Sequence, residues 1–147
     1  MARAVTQTSK APALIGWREY VNLPELGIKR FVAKMDTGAS YCALHATDIH
    51  VLGGYVSFRF ESSEMIRTKL AGRKTITSSN GEKTRRCVIR TRIKIGTRIF
   101  TSEITLIDRS RMKDKMLLGR KILRNRFIID PRLSHALSSA AKKRKVT

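Results

Sequence analysis

The clearest period along this chain is two. In "YVSFRF" (55–60), Val56, Phe58 and Phe60 fall on one face and Tyr55, Ser57 and Arg59 on the other. "TRRCVIRTRIKI" (84–95) repeats the pattern, with Cys87, Ile89, Thr91, Ile93 and Ile95 on one side and Arg or Lys over most of the other. Such alternation marks a half-buried strand. "IKRFVAKM" predicts another, burying Ile28, Phe31, Ala33 and Met35. "ALIGWREYVNL", from Ala13, is rich in strand formers but alternates imperfectly; Pro24 stops it and Gly27 separates it from the next element. "MIRTKLAGRKTIT" predicts a weaker strand. "SSNGEK" (78–83) then carries Asn80-Gly81, a strong hairpin signal. Gly96-Thr97 turns the chain into "RIFTSEITLI". The expectation is a meander of antiparallel strands with a cationic solvent face. Helix is expected only in "GRKILRN" (119–125) and "LSHALSSAAKK" (133–143). The predicted class is mostly β.

At 147 residues the chain has the size of one domain, and no internal repeat divides it. The reading is a loose arm over 1–12, a folded domain over 13–135 and a basic tail over 136–147. No apolar run approaches the roughly 20 residues of a membrane-spanning helix, and the N-terminus lacks the apolar core of a secretory signal. Cys42 and Cys87 are too few for a disulfide framework. Together these predict a cytoplasmic location.

Charge changes the picture most. Lys and Arg total 31 against 11 Asp and Glu, a formal net charge of +20. Such a field draws polyanions and speeds their encounter. Arg is prominent, and Arg favours planar carboxylate and phosphate groups over simple solvation. Aromatic residues make up only 6% of the chain, mostly at predicted core positions, so base stacking is poorly provided for. No known nucleic-acid-binding motif is evident. Non-specific attraction to RNA and other polyanions is the expectation, with "AAKKRKV" as a polyanion-binding tail.

A chain so short of acid places Asp36 directly after an apolar stretch, in "VAKMDTGASYCALHA" (32–46). A buried carboxylate is costly unless hydrogen-bonded. Read alone, Asp-Thr-Gly after a strand is an ordinary turn whose Asp caps local N–H groups. The later "MLLGRKIL" changes the weighing. An apolar strand before Asp-Thr-Gly-Ala and an apolar pair before Gly-Arg resemble the two halves of the retropepsin-like aspartic protease pattern. With "IGWREYVNLPELGI", "SSNGE" and "LIDRSRM", the string is similar to a bacterial branch labelled "ATP-dependent zinc proteases", over residues 14–135.

The resemblance implies a closed β-barrel of the acid protease fold, with one short C-terminal helix after Leu117-Leu118-Gly119-Arg120. It implies an aspartic endopeptidase with Asp36 as catalytic residue and no cofactor. Two carboxylates about 3 Å apart cannot both ionise, so the pair supplies base and acid to one water. Thr37, Gly38, Ala39, Gly119 and Arg120 would support the catalytic loop. Asp48, Asp108, Asp114 and Asp130 stand in no such motif. The second carboxylate would therefore be Asp36 of another copy across a twofold axis, a homodimer.

Where viral retropepsins follow the motif with two acidic residues, Ser40 and Tyr41 stand here. Arg120 therefore lacks its usual acidic partner. Extra length lies between about Ala46 and Thr77. The hairpin with Ser78, Ser79, Asn80 and Gly81 is the candidate flap. The "zinc" of the label has little support: there is no HExxH or CxxC. Cys42, His45 and His50 are weak as metal donors, and His45 reads as a structural residue beside the catalytic loop. The "ATP-dependent" of the label lacks a GxxxxGK[ST] to hold phosphates. The resembled family is linked to ATP-grasp ligases that add glutamates, and the cationic surface suits a glutamate-rich polypeptide substrate. The competing reading is a basic β-barrel module, weak or inactive as an enzyme, that binds RNA, ribosomes or other polyanions.

Overall fold

The computed structural model describes residues 11–138. Strands β1 (Ala13–Ile15) and β2 (Arg18–Leu23) lead through a 3-10 turn at Pro24–Leu26 into β3 (Ile28–Met35). Then follow β4 (Cys42–His45), β5 (Thr47–Leu52), β6 (Tyr55–Arg59), β7 (Ile66–Lys69), β8 (Gly72–Thr77), β9 (Lys83–Ile95), β10 (Arg98–Ile107) and β11 (Met116–Leu118). The short helix α1 (Arg120–Leu123) and β12 (Phe127–Ile129) follow.

Six strands close on themselves in the order β10, β4, β11, β3, β2, β9, with β9 pairing back onto β10. Closure removes exposed sheet edges. The core is the inward face of these strands, where Val21, Leu44, Ile89, Ile93, Ile104 and Leu118 are fully buried. This is the expected closed, retropepsin-like barrel, and α1 is the expected helix after the Leu-Leu-Gly-Arg string. Strand β8 lies outside the ring as a hairpin partner of β9. The extra length between 46 and 77 builds a separate antiparallel sheet, β5-β6-β7.

Four readings of the sequence change. The barrel is not a pure antiparallel meander, because β4 runs parallel to β10 and β3 parallel to β11. Strand β4 escaped the period-two reading because all four of its residues are buried, which erases alternation. "MIRTKLAGRKTIT" is two strands in different sheets, parted at Leu70-Ala71.

"ALIGWREYVNL" also divides, at Gly16-Trp17. A Cβ on Gly16 would lie 2.3 Å from the Leu133 carbonyl oxygen, so glycine admits the returning chain. In β2 the buried face is Glu19, Val21 and Leu23. The alternation was regular, and a charged residue on its inner face disguised it. Glu19 is fully buried, and every hydrogen bond it accepts is a closing contact. Its Oε2 accepts N–H groups of Gly16 (2.7 Å), Ala136 (2.8 Å) and Leu137 (3.3 Å), and its Oε1 accepts Ser138 N–H (3.0 Å) and Oγ (2.8 Å). A carboxylate at the first turn of a helix satisfies orphan donors and suits the local dipole. Residues 136–138 are helical and carry Ser138 into the core. His135 stacks on Tyr20 at 4.1 Å just before them. The helix expected over 133–143 is thus seen from 136, and its remainder lies outside the described residues, as do 1–10 of the arm and 139–147 of the tail.

Candidate active site

Parallel pairing of β3 with β11 puts Met35 beside Leu118, so both strands end at the same level. The two loops that follow, Asp36-Thr37-Gly38-Ala39 and Gly119-Arg120, must then meet. Asp36 N–H donates to the Leu118 carbonyl at 2.9 Å, Arg120 N–H to Ala39 at 2.7 Å and Lys121 N–H to Ser40 at 3.2 Å. Gly119 allows this approach: a Cβ there would lie 2.5 Å from the Tyr41 carbonyl oxygen and 2.8 Å from its nitrogen. The two motif halves are one structural unit.

Within the loop, Gly38 N–H donates to Asp36 Oδ1 at 3.0 Å, the local cap of an ordinary turn. Asp36 Oδ2 makes no hydrogen bond among the described residues. The carboxylate is half-buried rather than buried. The Thr37 carbonyl accepts from Arg120 Nη1 at 2.8 Å, and Arg120 Nη2 donates to Ser40 Oγ at 2.9 Å. Arg120 therefore has partners despite the missing acidic residue: a backbone carbonyl and the hydroxyl that replaced it.

Asp36 opens onto a cavity of about 650 Å³ lined also by Gly38, Ala39, Tyr41 and Thr75 to Ser79. The candidate flap hairpin thus borders the cavity through Ser78 and Ser79, while Asn80 and Gly81 stand further out. The connection from Thr77 to Lys83 closes through Ser78 N–H to the Glu82 carbonyl (2.8 Å), with Gly81 at φ +88°. Among the described residues, Asp36 is the sole acidic one lining the cavity. The other aspartates are engaged elsewhere. Arg18 grips Asp114 at 2.8 and 2.9 Å, Arg132 holds Asp130 at 2.8 Å and Arg59 meets Asp48 at 3.2 Å. Asp108 Oδ1 accepts Ser110 N–H at 2.8 Å. The Arg18 hydrogen bond holds the Asp114 carboxyl below its ordinary range.

Sequence reasoning missed the two basic lining residues, Arg86 of β9 and Arg109 after β10, along with uncharged ones such as Thr75 and Thr105. Arg86 belongs to the strand's less regular stretch, and Arg109 to a loop whose place only the barrel decides. The loop over 108–115 is built firmly: Lys115 Nζ donates to the carbonyls of Arg109, Ser110 and Met112.

His45 is buried in β4, and its Nδ1 accepts Arg109 N–H at 2.8 Å. Burial first, then the Lys115 charge, push its pKa below the ordinary value of 6.5, which keeps it neutral and able to accept. Cys42 is buried, and burial pushes its thiol pKa up. His50 lies exposed on β5. Among the described residues no three His, Cys, Asp or Glu side chains gather as a metal set. No described helix is long and apolar enough to cross a membrane.

Comparison with known proteins agrees with this geometry. A model of the RimB-like family, described as retropepsin-like aspartic endopeptidase RimB, matches residues 14–138. A probable alpha-L-glutamate ligase of Desulfotalea psychrophila is 34% identical over 143 residues, covering 90% of this chain and 31% of that protein. One from Shewanella pealeana is 33% identical over 135 residues, covering 84% and 30% respectively. The chain therefore spans under a third of the length of these curated relatives. Among solved structures, the Legionella pneumophila protein Lpg0085, titled as of unknown function (DUF785), is similar with a TM-score of 0.69 and 26% identity. That match covers 85% of this chain and 98% of the other. On the family match over nearly all of the described barrel, the chain belongs to the RimB-like family of retropepsin-like proteins.

Proposed function

We propose that the chain is a retropepsin-like aspartic endopeptidase in which Asp36 of two copies forms the catalytic dyad. The observation that carries this reading is a half-buried carboxylate with one unengaged oxygen, at a loop locked by the Gly119-Arg120 backbone and facing a cavity with no other acid. A turn residue that only capped its loop would not need the second motif beside it. One proton shared by the dyad lets one Asp36 take a proton from water while the other donates to the scissile carbonyl. The hairpin at Ser78 to Gly81 is the proposed flap. Thr37, Gly38, Ala39, Gly119 and Arg120 hold the loop.

Glutamate-bearing polypeptides are the proposed substrates. Support comes from the +20 charge and from relatives named probable glutamate ligases, in which the matching part is under a third of the protein. A partnership with such a ligase, making the chain that this protein trims, follows from the same names. The test compares wild type with Asp36→Asn on casein, on Glu-rich peptides and for self-cleavage, alongside molar mass in solution. Equal activity in both proteins, or full activity in a strict monomer, overturns the dyad. Hydrolysis is expected to survive a metal chelator; loss with EDTA and recovery with zinc would shift attention to Cys42 and His45. The second reading, a polyanion-binding module without turnover, draws on the ligase names and the charge. It predicts binding to poly-glutamate or RNA that Asp36→Asn leaves intact, with no hydrolysis by wild type.

A further inference from the structure

The cavity beside Asp36 holds more positive charge than its one carboxylate can answer. Arg86 and Arg109 both line it. Each guanidinium is tied by Nε alone: Arg86 to Thr84 Oγ1 at 3.0 Å and Arg109 to the Asp114 carbonyl at 2.9 Å. Their Nη groups make no hydrogen bond or ion pair among the described residues, whereas the guanidiniums of Arg18, Arg59, Arg92 and Arg132 each meet an acid.

Arg86 lies within reach of the Arg109 charge. Burial pushes both pKa values down, and the charge of Arg109 lowers Arg86 further, while Asp114 and then Asp36 act in the opposite direction on Arg109. Both are half-buried, unlike Arg85 and Arg90 on the same strand, which are exposed. Neither can shed its proton at ordinary pH. Partly desolvated like charges facing one cavity are unfavourable until an anion joins them. A guanidinium fork matches a carboxylate bidentately.

The positions are also built rather than incidental. Arg109 is fixed through its N–H on His45 Nδ1 and its carbonyl on Lys115 Nζ, so its outer nitrogens are directed by the loop backbone. Arg86 stands opposite Lys74 at the base of the flap hairpin. One arm thus belongs to the hairpin over the cavity and the other to its wall.

We propose that Arg86 and Arg109 form a clamp for a substrate carboxylate, seated in the Asp36 cavity, and that the clamp selects an acidic residue beside the bond to be cut. This rests on reading that cavity as the peptide site. It differs from attraction by the overall +20 field, which acts at long range and fades with salt. A clamp recognises one carboxylate at contact, so selectivity persists when distant charge is screened.

The test uses the full chain carrying Asp36→Asn, so that binding is read without turnover. The probe is a fluorescein-labelled oligo-glutamate peptide followed by anisotropy, with a Gln-substituted version and a C-terminal amide version. Adding Arg86→Gln should weaken binding of the glutamate peptide by about tenfold or more, the loss typical of a charge-assisted contact, and leave the Gln peptide unchanged. Arg85→Gln, which removes the same charge from an exposed neighbouring position, should change affinity by much less. Arg109→Lys serves beside Arg86→Gln, since it keeps the charge and loses the fork. A drop on Glu→Gln substitution assigns the bound carboxylate to a side chain, as proposed. A drop confined to the amide peptide, with Glu and Gln peptides bound equally, would mean that a terminal carboxylate is held instead and would overturn selection of an acidic residue. In the active chain, Arg86→Gln should raise KM for Glu peptides far more than it lowers kcat. Equal losses for Arg85→Gln and Arg86→Gln, or equal binding of Glu and Gln peptides, would overturn the clamp. If wild type cleaved nothing but the binding pattern held, the protease reading would fall and the clamp would stand.

Discussion

Two carboxylates, one inside β2 and one just after the neighbouring β3, belong to the same barrel and are treated in opposite ways. Glu19, fully buried, accepts five hydrogen bonds and has no capacity left. Asp36, half-buried, accepts one from Gly38 and leaves its second oxygen toward the cavity. Burial without partners is what makes a carboxylate expensive, and Glu19 meets that cost with backbone donors from two separated segments. Asp36 is fixed instead through its backbone, on Leu118, so its side chain need not be consumed to hold the loop. A saturated carboxylate holds structure, and an unsaturated one on a rigid loop can do chemistry.

The sharpest way to break the comparison is to exchange the losses. Asp36→Asn should lower kcat/KM by about a thousandfold, within the usual range for removing a general acid–base group, with thermal midpoint unchanged. Glu19→Ala should do the reverse. Leaving its buried N–H groups unanswered should cost about 3 kcal/mol, a fall of about 10 °C in Tm, with activity per folded molecule kept. Calorimetry and kinetics on both variants decide; a large stability loss from Asp36→Asn would erase the distinction.

Next in size is the hinge between the motif halves. Gly119→Ala places a methyl against the Tyr41 backbone, 2.5 Å from its carbonyl oxygen. Either the 119–121 segment or the 39–41 segment must shift, and a displacement near 1 Å costs about a hundredfold in rate. Steady-state kinetics at a temperature where the variant is folded would read it. A harmless Gly119→Ala would mean that the loop pairing does not position Asp36.

The acid side of the stability profile follows from His45 and Asp114. His45 titrates below its ordinary 6.5 because burial disfavours the imidazolium. Its contribution is fully present above that value and is lost as pH falls toward the lowered folded one. Asp114, held down by Arg18, contributes above the ordinary 3.8 and loses this in stronger acid. Urea midpoints should therefore fall first below about pH 6.5 and again below about pH 4. In His45→Gln the first step should vanish and the second remain. The smallest change expected is Ser40→Asp, which offers Arg120 a carboxylate in place of a hydroxyl at an exposed site. A gain of at most about 1 kcal/mol is expected, read as a shift in urea midpoint that salt diminishes.

Much of this was legible in the chain. Alternation at 55–60 and 84–95 named β6 and β9, and Asp36 with Gly119-Arg120 stood out as motifs before any coordinate. Period two works where one face is wet and one is dry. It fails for Cys42–His45, buried throughout, and for Arg18–Leu23, where Glu19 sits on the dry face.

By itself the sequence determined the mostly β class, the hairpin at 78–83, the short helix after Gly119 and the loop that carries Asp36. These depend on neighbours within a few residues, through side-chain period and backbone freedom. Only the tertiary structure decided that Asp36 keeps an oxygen open while Glu19 does not, that Arg120 finds Thr37 and Ser40, and that Arg86 and Arg109 share the cavity. These join residues far apart in the chain, through the parallel pairing of β3 with β11, the closing of β9 on β10 and the return of residues 136–138 to Glu19. Pairing across such distances leaves no local period to read.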